Sequence, residues 1–127
     1  DVSNVTNMRS MFHECYLFNQ NINEWDVSNV TNITAMFNGC INYNQPLNKW
    51  DVGKVTTMSN TFNGCKKFNQ NIDKWITENV VSMDWMFFDC FKFNQPLNNW
   101  NVSNVTSMKG MFYSCLMFLP SVGFRKQ

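Results

Sequence analysis

The sequence repeats one pattern with a period of 25 residues, and this period constrains the fold more than any other feature. The pattern is clearest between Trp25 and Cys40. Its cysteine recurs, without insertion or deletion, at Cys15, Cys40, Cys65, Cys90 and Cys115. A unit this short cannot bury a core by itself, so neighbouring units must stack on one another. The 127 residues are therefore predicted to form one array of about five stacked units.

The pattern also sets the predicted boundaries. The units are 1–25, 26–50, 51–75, 76–100 and 101–122, and residues 123–127 form an end segment where the pattern stops. The chain starts inside the pattern at Asp1, with no initiator methionine and no polar cap. Because the ends of stacked arrays need caps, we expect either a piece of a longer protein or a partner, such as a neighbouring domain or subunit, covering the first unit.

The spacing of apolar residues predicts the local structure of each unit. Residues 25–27 alternate between apolar and polar, as a short strand does. From Val30 to Cys40 the apolar residues lie three or four positions apart, which indicates a helix, with Ser28 or Asn29 as its N-cap. Gly39 lies where this helix would end, and Gly64 lies at the equivalent position of the third unit. Each unit is therefore predicted to hold a strand, a short helix and a return loop, with the strands stacked into a narrow parallel sheet.

The residues that this spacing turns inward are predicted to form the core. They are Trp25, Val27, Val30, Phe37, Cys40, Trp50, Phe62, Cys65, Trp75, Phe87, Cys90, Trp100, Phe112 and Cys115.

Composition argues against two classes of partner. Charged residues make up 15% of the chain and the net charge is +1. A nucleic-acid surface needs clustered basic residues, so no nucleic-acid partner is predicted. No apolar run approaches the roughly 18 residues that cross a bilayer, so no direct membrane insertion is expected.

The repeat resembles a known family. Its motif reads Trp-Asp-Val-Ser-Asn-Val-Thr-x-Met-x-x-Met-Phe-x-x-Cys-x-x-Phe-Asn-Gln-Pro-Leu-Asn-x-Trp, and it is similar to the surface-protein repeat of mycoplasma lipoproteins. That repeat belongs to the BspA-like branch of leucine-rich-repeat proteins, with related copies in other bacteria, protists and giant viruses. The resemblance covers residues 1 to about 122.

The resemblance implies an α/β repeat solenoid of the leucine-rich-repeat type, with one short parallel strand and one short helix per coil. It implies no catalytic residues. It also implies a general role in surface display, adhesion or protein–protein contact.

The five cysteines share one inward position. A reduced ladder of buried thiols is the favoured interpretation, because a free cysteine packs as a small hydrophobe. Disulfides between neighbouring coils are disfavoured, since both partners would point the same way. A metal site is also disfavoured, because the chain has no Cys-x-x-Cys and only His13 as a histidine ligand.

Two polar rows have structural and functional interpretations. Asn-Gln pairs recur once per unit from Asn19 to Gln95, and they can satisfy loop backbone groups or contact a ligand. Asp1, Asp26 and Asp51 form a second row, in which Asn101 stands at the equivalent position. Hydrogen bonding to the following backbone is the favoured interpretation of this row, ahead of a divalent cation or paired-carboxylate catalysis.

The fourth unit departs most from the pattern and gives the interaction hypothesis. Trp85, Phe88 and Phe91 follow each other at three-residue steps, and Tyr113 aligns with Phe88. Ile76 replaces the aspartate of the neighbouring units. Clustered exposed aromatic residues mark interaction surfaces. The alternative is that they pack over the groove between coils or against a flanking domain. A second candidate is the predicted strand face, comprising Glu24, Asp26, Lys49, Asp51, Lys74, Ile76 and Asn99.

The sequence favours a non-enzymatic interaction module that acts in surface display or adhesion, with protein partners and no cofactor. A cell-surface or extracellular location is favoured, with a virion or a host cytoplasm as the alternative. The second hypothesis is a structural subunit of a larger assembly such as a giant-virus particle. An enzyme is the weakest hypothesis, because no nucleophile–base pair, phosphate-binding loop or metal cluster is visible.

Overall fold

Each 25-residue unit forms one coil of the chain, and neighbouring coils are joined by backbone hydrogen bonds. The computed structural model describes residues 1–118, and the units are called coils 1 to 5 below. Thr31 N–H donates to the Thr6 carbonyl at 2.8 Å, and Thr56 N–H donates to the Thr31 carbonyl at 2.9 Å. The coils are therefore stacked in register, with residues 25 positions apart lying side by side. The predicted end segment 123–127 lies outside the described residues.

Regular secondary structure is almost absent from residues 1–118. Across residues 1–118 the pairing consists of four isolated parallel bridges, Asn7–Asn32, Asn32–Thr57, Thr57–Ser82 and Ser82–Ser107. The same residues contain no helix. The prediction of an α/β solenoid of the leucine-rich-repeat type, with a strand and a helix in each coil, is therefore wrong. In the described part of the chain, no helix is long and apolar enough to cross a membrane.

The backbone N–H groups explain why residues 30–40 do not form a helix. Ala35 N–H donates to the Ser59 carbonyl of the next coil at 2.9 Å. The following N–H, of Met36, donates to the Ile33 carbonyl of its own coil at 3.1 Å. In an α-helix each of these N–H groups would donate to the carbonyl four residues earlier. Here they donate alternately to the next coil and to a turn within the same coil, so they are not available for a helix. Successive tight turns also bring a side chain inward every three or four residues, so their spacing imitates that of a helix.

The turns require left-handed backbone at two positions of each coil. In coil 2 these are Ala35, with φ of 56°, and Gly39, with φ of 79°. Gly39 is the third residue of a turn closed by the Cys40 N–H and the Phe37 carbonyl at 2.9 Å, where a type II turn needs positive φ. Gly64, with φ of 75°, has the same place in coil 3. The two glycines serve these turns and do not end helices.

The predicted strand at residues 25–27 is also wrong. Asp26 Oδ1 accepts a hydrogen bond from the Ser28 backbone N–H at 3.0 Å and another from its hydroxyl at 2.6 Å. The chain therefore bends at this point, and Ser28 is not the cap of a helix. Pairing between coils lies at Asn32 and its equivalents, where the backbone runs alongside the next coil.

Stacked aromatic rings run through the core. One ladder follows the phenylalanine of each coil, with ring centroids 5.6–5.7 Å apart: Phe12, Phe37, Phe62, Phe87 and Phe112. A second ladder joins Trp50, Trp75 and Trp100 at 6.3 Å. Each of these indole N–H groups donates to a backbone carbonyl of the preceding coil at 2.9–3.0 Å. The ladders thus combine apolar burial with satisfied polar atoms.

Burial follows position along the stack. The residues predicted for the core that are buried are Val27, Val30, Phe37, Cys40, Trp50, Phe62, Cys65, Trp75, Phe87, Cys90, Trp100 and Cys115. Trp25 and Phe112 are half-buried and pack against this cluster. The inner coils therefore hold the best-covered side chains.

Candidate functional site

One tight turn that recurs in every coil positions the candidate site. In coil 4 the Phe88 N–H donates to the Trp85 carbonyl at 3.3 Å, and in coil 3 the Asn63 N–H donates to the Asn60 carbonyl at 3.2 Å. A bond of this kind closes a four-residue turn, which places the side chains of its first and last residues side by side. The three-residue step noted in the sequence therefore brings two side chains together through a turn.

Stacking then gathers the turns of coils 3, 4 and 5 on one flank. Coil 3 supplies two carboxamides, coil 4 supplies two aromatic rings, and coil 5 supplies Gly110 and a tyrosine. They surround an open cavity of about 470 Å³ lined by Asn60, Asn63, Trp85, Phe88 and Tyr113. We call these five residues the flank site.

The three rings of the flank site form a corner. The rings of Trp85 and Phe88 meet edge to face at 83°, with centroids 5.6 Å apart. Phe88 stacks on Tyr113 at 5.7 Å with only 11° between the planes. Tyr113 is 65% exposed, while Trp85 and Phe88 are half-buried. Phe88 is thus in contact with both other rings, and the three form one aromatic cluster at the surface.

Trp85 has a strained backbone. Its φ of 58° lies in the left-handed region, which bulky residues rarely adopt. Three other coils place smaller residues at this point of the repeat, namely Ser10, Ala35 and Asn60. Strain of this kind costs about 1–3 kcal/mol and concentrates at functional sites.

Gly110 provides the space that the indole occupies. A Cβ atom at Gly110 would lie 2.0 Å from Cζ3 of Trp85, which is far inside van der Waals contact. The indole therefore lies directly on the backbone of coil 5. Only a glycine at position 110 permits this placement, and its φ of 61° favours glycine as well.

The polar wall of the site is an amide pair. Asn63 Nδ2 donates to Asn60 Oδ1 at 2.9 Å. The lining residues have no formal charge, so the wall offers hydrogen bonds without an ion pair.

The structure separates the remaining residues of the interaction hypothesis from this site. Phe91 is half-buried, and its ring lies 5.0 Å from the Lys66 ammonium in a cation–π contact. Ile76 is 55% exposed, and neither residue is part of the cavity lining. The structure therefore brings together three of the five predicted residues, Trp85, Phe88 and Tyr113.

The second candidate surface, predicted as a strand face, is polar and of mixed charge. Lys49 forms an ion pair with Glu24 at its surface. A shallow cavity of about 310 Å³ nearby is lined by Asn48, Gln70, Asn71, Asp73, Lys74 and Asn99. Exposed ion pairs contribute little energy, and no aromatic ring lines this cavity. We therefore place the candidate site on the flank.

The two polar rows have structural hydrogen bonds. Asp51 Oδ1 accepts from the Gly53 N–H at 3.0 Å, as Asp26 does from Ser28. The hydrogen bonds from Ser28 lower the pKa of the Asp26 carboxyl. In the other row the side chain of Asn44 accepts from the Asn69 N–H at 2.9 Å. Both rows therefore satisfy backbone donors, the first within a coil and the second between coils.

The cysteines are free thiols along the stack. Cys15 is exposed, and Cys40, Cys65, Cys90 and Cys115 are buried. Cys40 and Cys65 donate to phenylalanine carbonyls of the preceding coil at 3.0 Å. Burial raises the pKa of the Cys40 thiol to about 12 and that of Cys65 well above its usual value. Deprotonated thiolates are the reactive and metal-binding form, so these two thiols serve packing.

Sequence reasoning missed Asn60, Asn63 and Gly110. The sequence contains one usable signal, because the two asparagines align with Trp85 and Phe88. Aligned residues of neighbouring units become neighbours in a stacked array. Gly110 is recognisable as a partner of Trp85 only once the indole is known to point towards coil 5.

The fold and the flank site together define a class: a repeat protein of stacked 25-residue coils with an uncharged aromatic and amide surface site. The chain belongs to the family described as "Mycoplasma protein of unknown function, DUF285", whose model matches residues 1–76 and again residues 44–123. Comparison with curated proteins and with solved structures finds no match for the chain.

Proposed function

We propose that this chain is a non-enzymatic interaction module of a surface repeat protein, which contacts its partner through the flank site. The observation that supports this most is the combination of strain and exposure at one place. The backbone of Trp85, at φ of 58°, is strained and does not stabilise the fold. The indole ring of Trp85 nevertheless lines a cavity together with the exposed Tyr113. Aromatic side chains that are held rigid at a surface are frequent energetic centres of interfaces.

The chemistry of the lining supports binding over catalysis. Two carboxamides and three rings surround the cavity, and among them only the Tyr113 phenol can exchange a proton. General acid–base and nucleophilic catalysis need a positioned donor and acceptor pair. The family description gives no function, so the adhesion role, the cell-surface location and the BspA-like affiliation are part of this proposal.

The test uses a variant that copies one coil into another. The double substitution Trp85→Asn and Phe88→Asn gives coil 4 the asparagine pair of coil 3, and Asn60 already has φ of 60°. Fluorescent beads coated with the chain are incubated with cultured animal cells, and bound beads are counted by flow cytometry. We expect bead binding to fall at least about tenfold, because interface centres contribute about 2 kcal/mol or more.

The matched control is Tyr16→Asn, which removes an aromatic side chain that is 54% exposed on coil 1. This variant should bind cells as the parent chain does. Equal binding by the parent and the double variant, with both folded by circular dichroism, would overturn the proposed site. Absence of binding by the parent chain would overturn the adhesion role.

A further inference from the structure

We infer that the flank site binds a neutral glycan, with a sugar ring stacked on the aromatic corner and its hydroxyls on the amide pair. This inference rests on the proposed function and names the chemical class of the ligand. It follows from three properties of the site, which are its division into two walls, its lack of charge and its rigidity.

The two walls match the two kinds of surface on a pyranose. Phe88 and Tyr113 stack on each other with 11° between their planes, so each ring covers one face of the other. The sugar ring packs on an aromatic face that this stack leaves open, and aromatic faces have partial negative charge. The axial C–H groups of a sugar ring are apolar and weakly positive, so they pack well on such faces. The indole of Trp85, whose plane is at 83° to that of Phe88, closes the corner beside the bound ring.

The amide pair matches the hydroxyl edge of the sugar. Because Asn63 Nδ2 donates to Asn60 Oδ1, the NH₂ group of Asn60 acts as a donor and Oδ1 of Asn63 as an acceptor. A hydroxyl group donates one hydrogen bond and accepts two. Neighbouring sugar hydroxyls can therefore satisfy both amide groups at once.

The absence of charge in the lining selects neutral sugars. A carboxylate or sulfate on the ligand would lose hydration and gain no cationic partner among the five lining residues. The cavity of about 470 Å³ falls in the range of about 300–1,000 Å³ that small-molecule sites occupy.

The site is already formed before binding. The indole lies on the backbone at Gly110, and Phe88 is in contact with both other rings. Little conformational entropy is therefore lost on binding, which raises affinity for a small ligand.

A proline-rich peptide is the rival occupant, because such peptides dock in aromatic grooves. The amide pair disfavours it. Proline has no backbone N–H, so a polyproline segment would leave Oδ1 of Asn63 without a donor. A buried acceptor without a partner costs about 1–3 kcal/mol.

The experiment measures binding of the full chain to immobilised lactose, chitotriose and maltotriose, with sialyllactose and a decaproline peptide as comparison probes. We expect saturable binding of at least one neutral oligosaccharide. Where lactose binds, sialyllactose should bind no more tightly. The double substitution Trp85→Asn and Phe88→Asn should weaken binding at least tenfold, and Asn63→Ala should weaken it about fivefold.

The matched control is Asn38→Ala, which removes the aligned asparagine of coil 2, away from the rings, and should leave binding unchanged. Failure of all three neutral sugars to bind overturns the glycan inference, as does binding that the double variant retains. Decaproline binding that depends on Trp85, without sugar binding, overturns the glycan inference and leaves the proposed function intact. If the double variant also adheres to cells like the parent, both are overturned.

Discussion

Single residues in this chain adopt conformations that only their neighbours in the next coil make possible. The turn holds Trp85 in left-handed backbone, and its indole can lie over coil 5 only because the position opposite it is Gly110. The two residues are 25 positions apart and form one structural feature.

Gly110→Ala should therefore lower stability and disrupt the flank site. The new Cβ would meet the indole at 2.0 Å, and alanine at positive φ adds about 1–2 kcal/mol of strain. We expect a loss of about 2–3 kcal/mol in the free energy of unfolding, measured by urea titration. With Trp85→Asn present, the loss should shrink to the backbone cost alone.

Gly53→Ser provides the control for this substitution. Gly53 has no positive φ, and Ser3, Ser28 and Ser103 stand at the aligned positions. This variant should stay within about 0.5 kcal/mol of the parent. Equal losses for Gly110→Ala with and without the indole would contradict the contact.

Tyr43 is the one buried hydroxyl group without a hydrogen-bond partner in the described residues. Its ring stacks on Phe37 at 4.5 Å, and the aligned residues Phe68 and Phe93 lack the hydroxyl. Tyr43→Phe should keep the packing and remove the unsatisfied group. We expect a gain of about 1 kcal/mol in thermal or urea unfolding.

The same substitution at Tyr113, whose side chain is 65% exposed, should change stability by less than about 0.5 kcal/mol. A loss of stability in Tyr43→Phe would show that the hydroxyl has a partner in solution.

At the scale of the coil, the register between neighbouring coils could be predicted from the sequence, whereas the backbone conformation within each coil could not. The cysteines at 25-residue steps place aligned residues side by side, and hydrogen bonds between coils at that offset are present. The step from Trp85 to Phe88 spans one tight turn, which makes the two rings neighbours. The same three-residue step failed for Phe91, because the turn ends at Phe88 and the chain changes direction.

The helix prediction failed for a physical reason. A helix and a series of tight turns both turn a side chain inward every three or four residues, so apolar spacing alone cannot separate them. Left-handed backbone distinguishes the series of turns from a helix. Ala35 and Trp85 adopt it, but neither residue type indicates left-handed backbone in a sequence. The helix also competes with bonds to the next coil, which depend on the whole stack.

The ring ladder makes the inner coils the stable part of the array. Phe37 is fully buried and stacks between Phe12 and Phe62 at 5.7 and 5.6 Å. Phe37→Ala should cost about 3–5 kcal/mol in urea unfolding. Phe12→Ala removes a half-buried ring and should cost about 1–2 kcal/mol. Equal losses at the two positions would contradict the gradient of burial.

At the scale of the whole molecule, the buried thiols of Cys40 and Cys65 predict a loss of stability at alkaline pH. An unfolded cysteine ionises near pH 8.5, whereas burial raises the pKa of Cys40 to about 12 and that of Cys65 well above its usual value. Below pH 8 both states hold these protons, so the thiols give no pH dependence. Above about pH 8.5 only the unfolded chain loses them, so stability falls as pH rises towards 12.

Each such thiol contributes at most about 1.4 kcal/mol per pH unit. Urea unfolding between pH 6 and 11 measures the slope, and Cys65→Ala should make the decline shallower above pH 8.5 while leaving the curve parallel below pH 8. An unchanged alkaline slope in this variant would mean that Cys65 ionises in the folded chain.

The flank site uses the same two positions of the turn in consecutive coils: Asn60 and Asn63, then Trp85 and Phe88, then Gly110 and Tyr113. The hydrogen bonds that build the turn come from the backbone, so the side chains at these positions are not tied to coil closure. Duplication or exchange of whole units would therefore place existing pairs of side chains next to new neighbours and so create new surfaces. In such an array, the order of the coils in the gene determines which side chains share a surface.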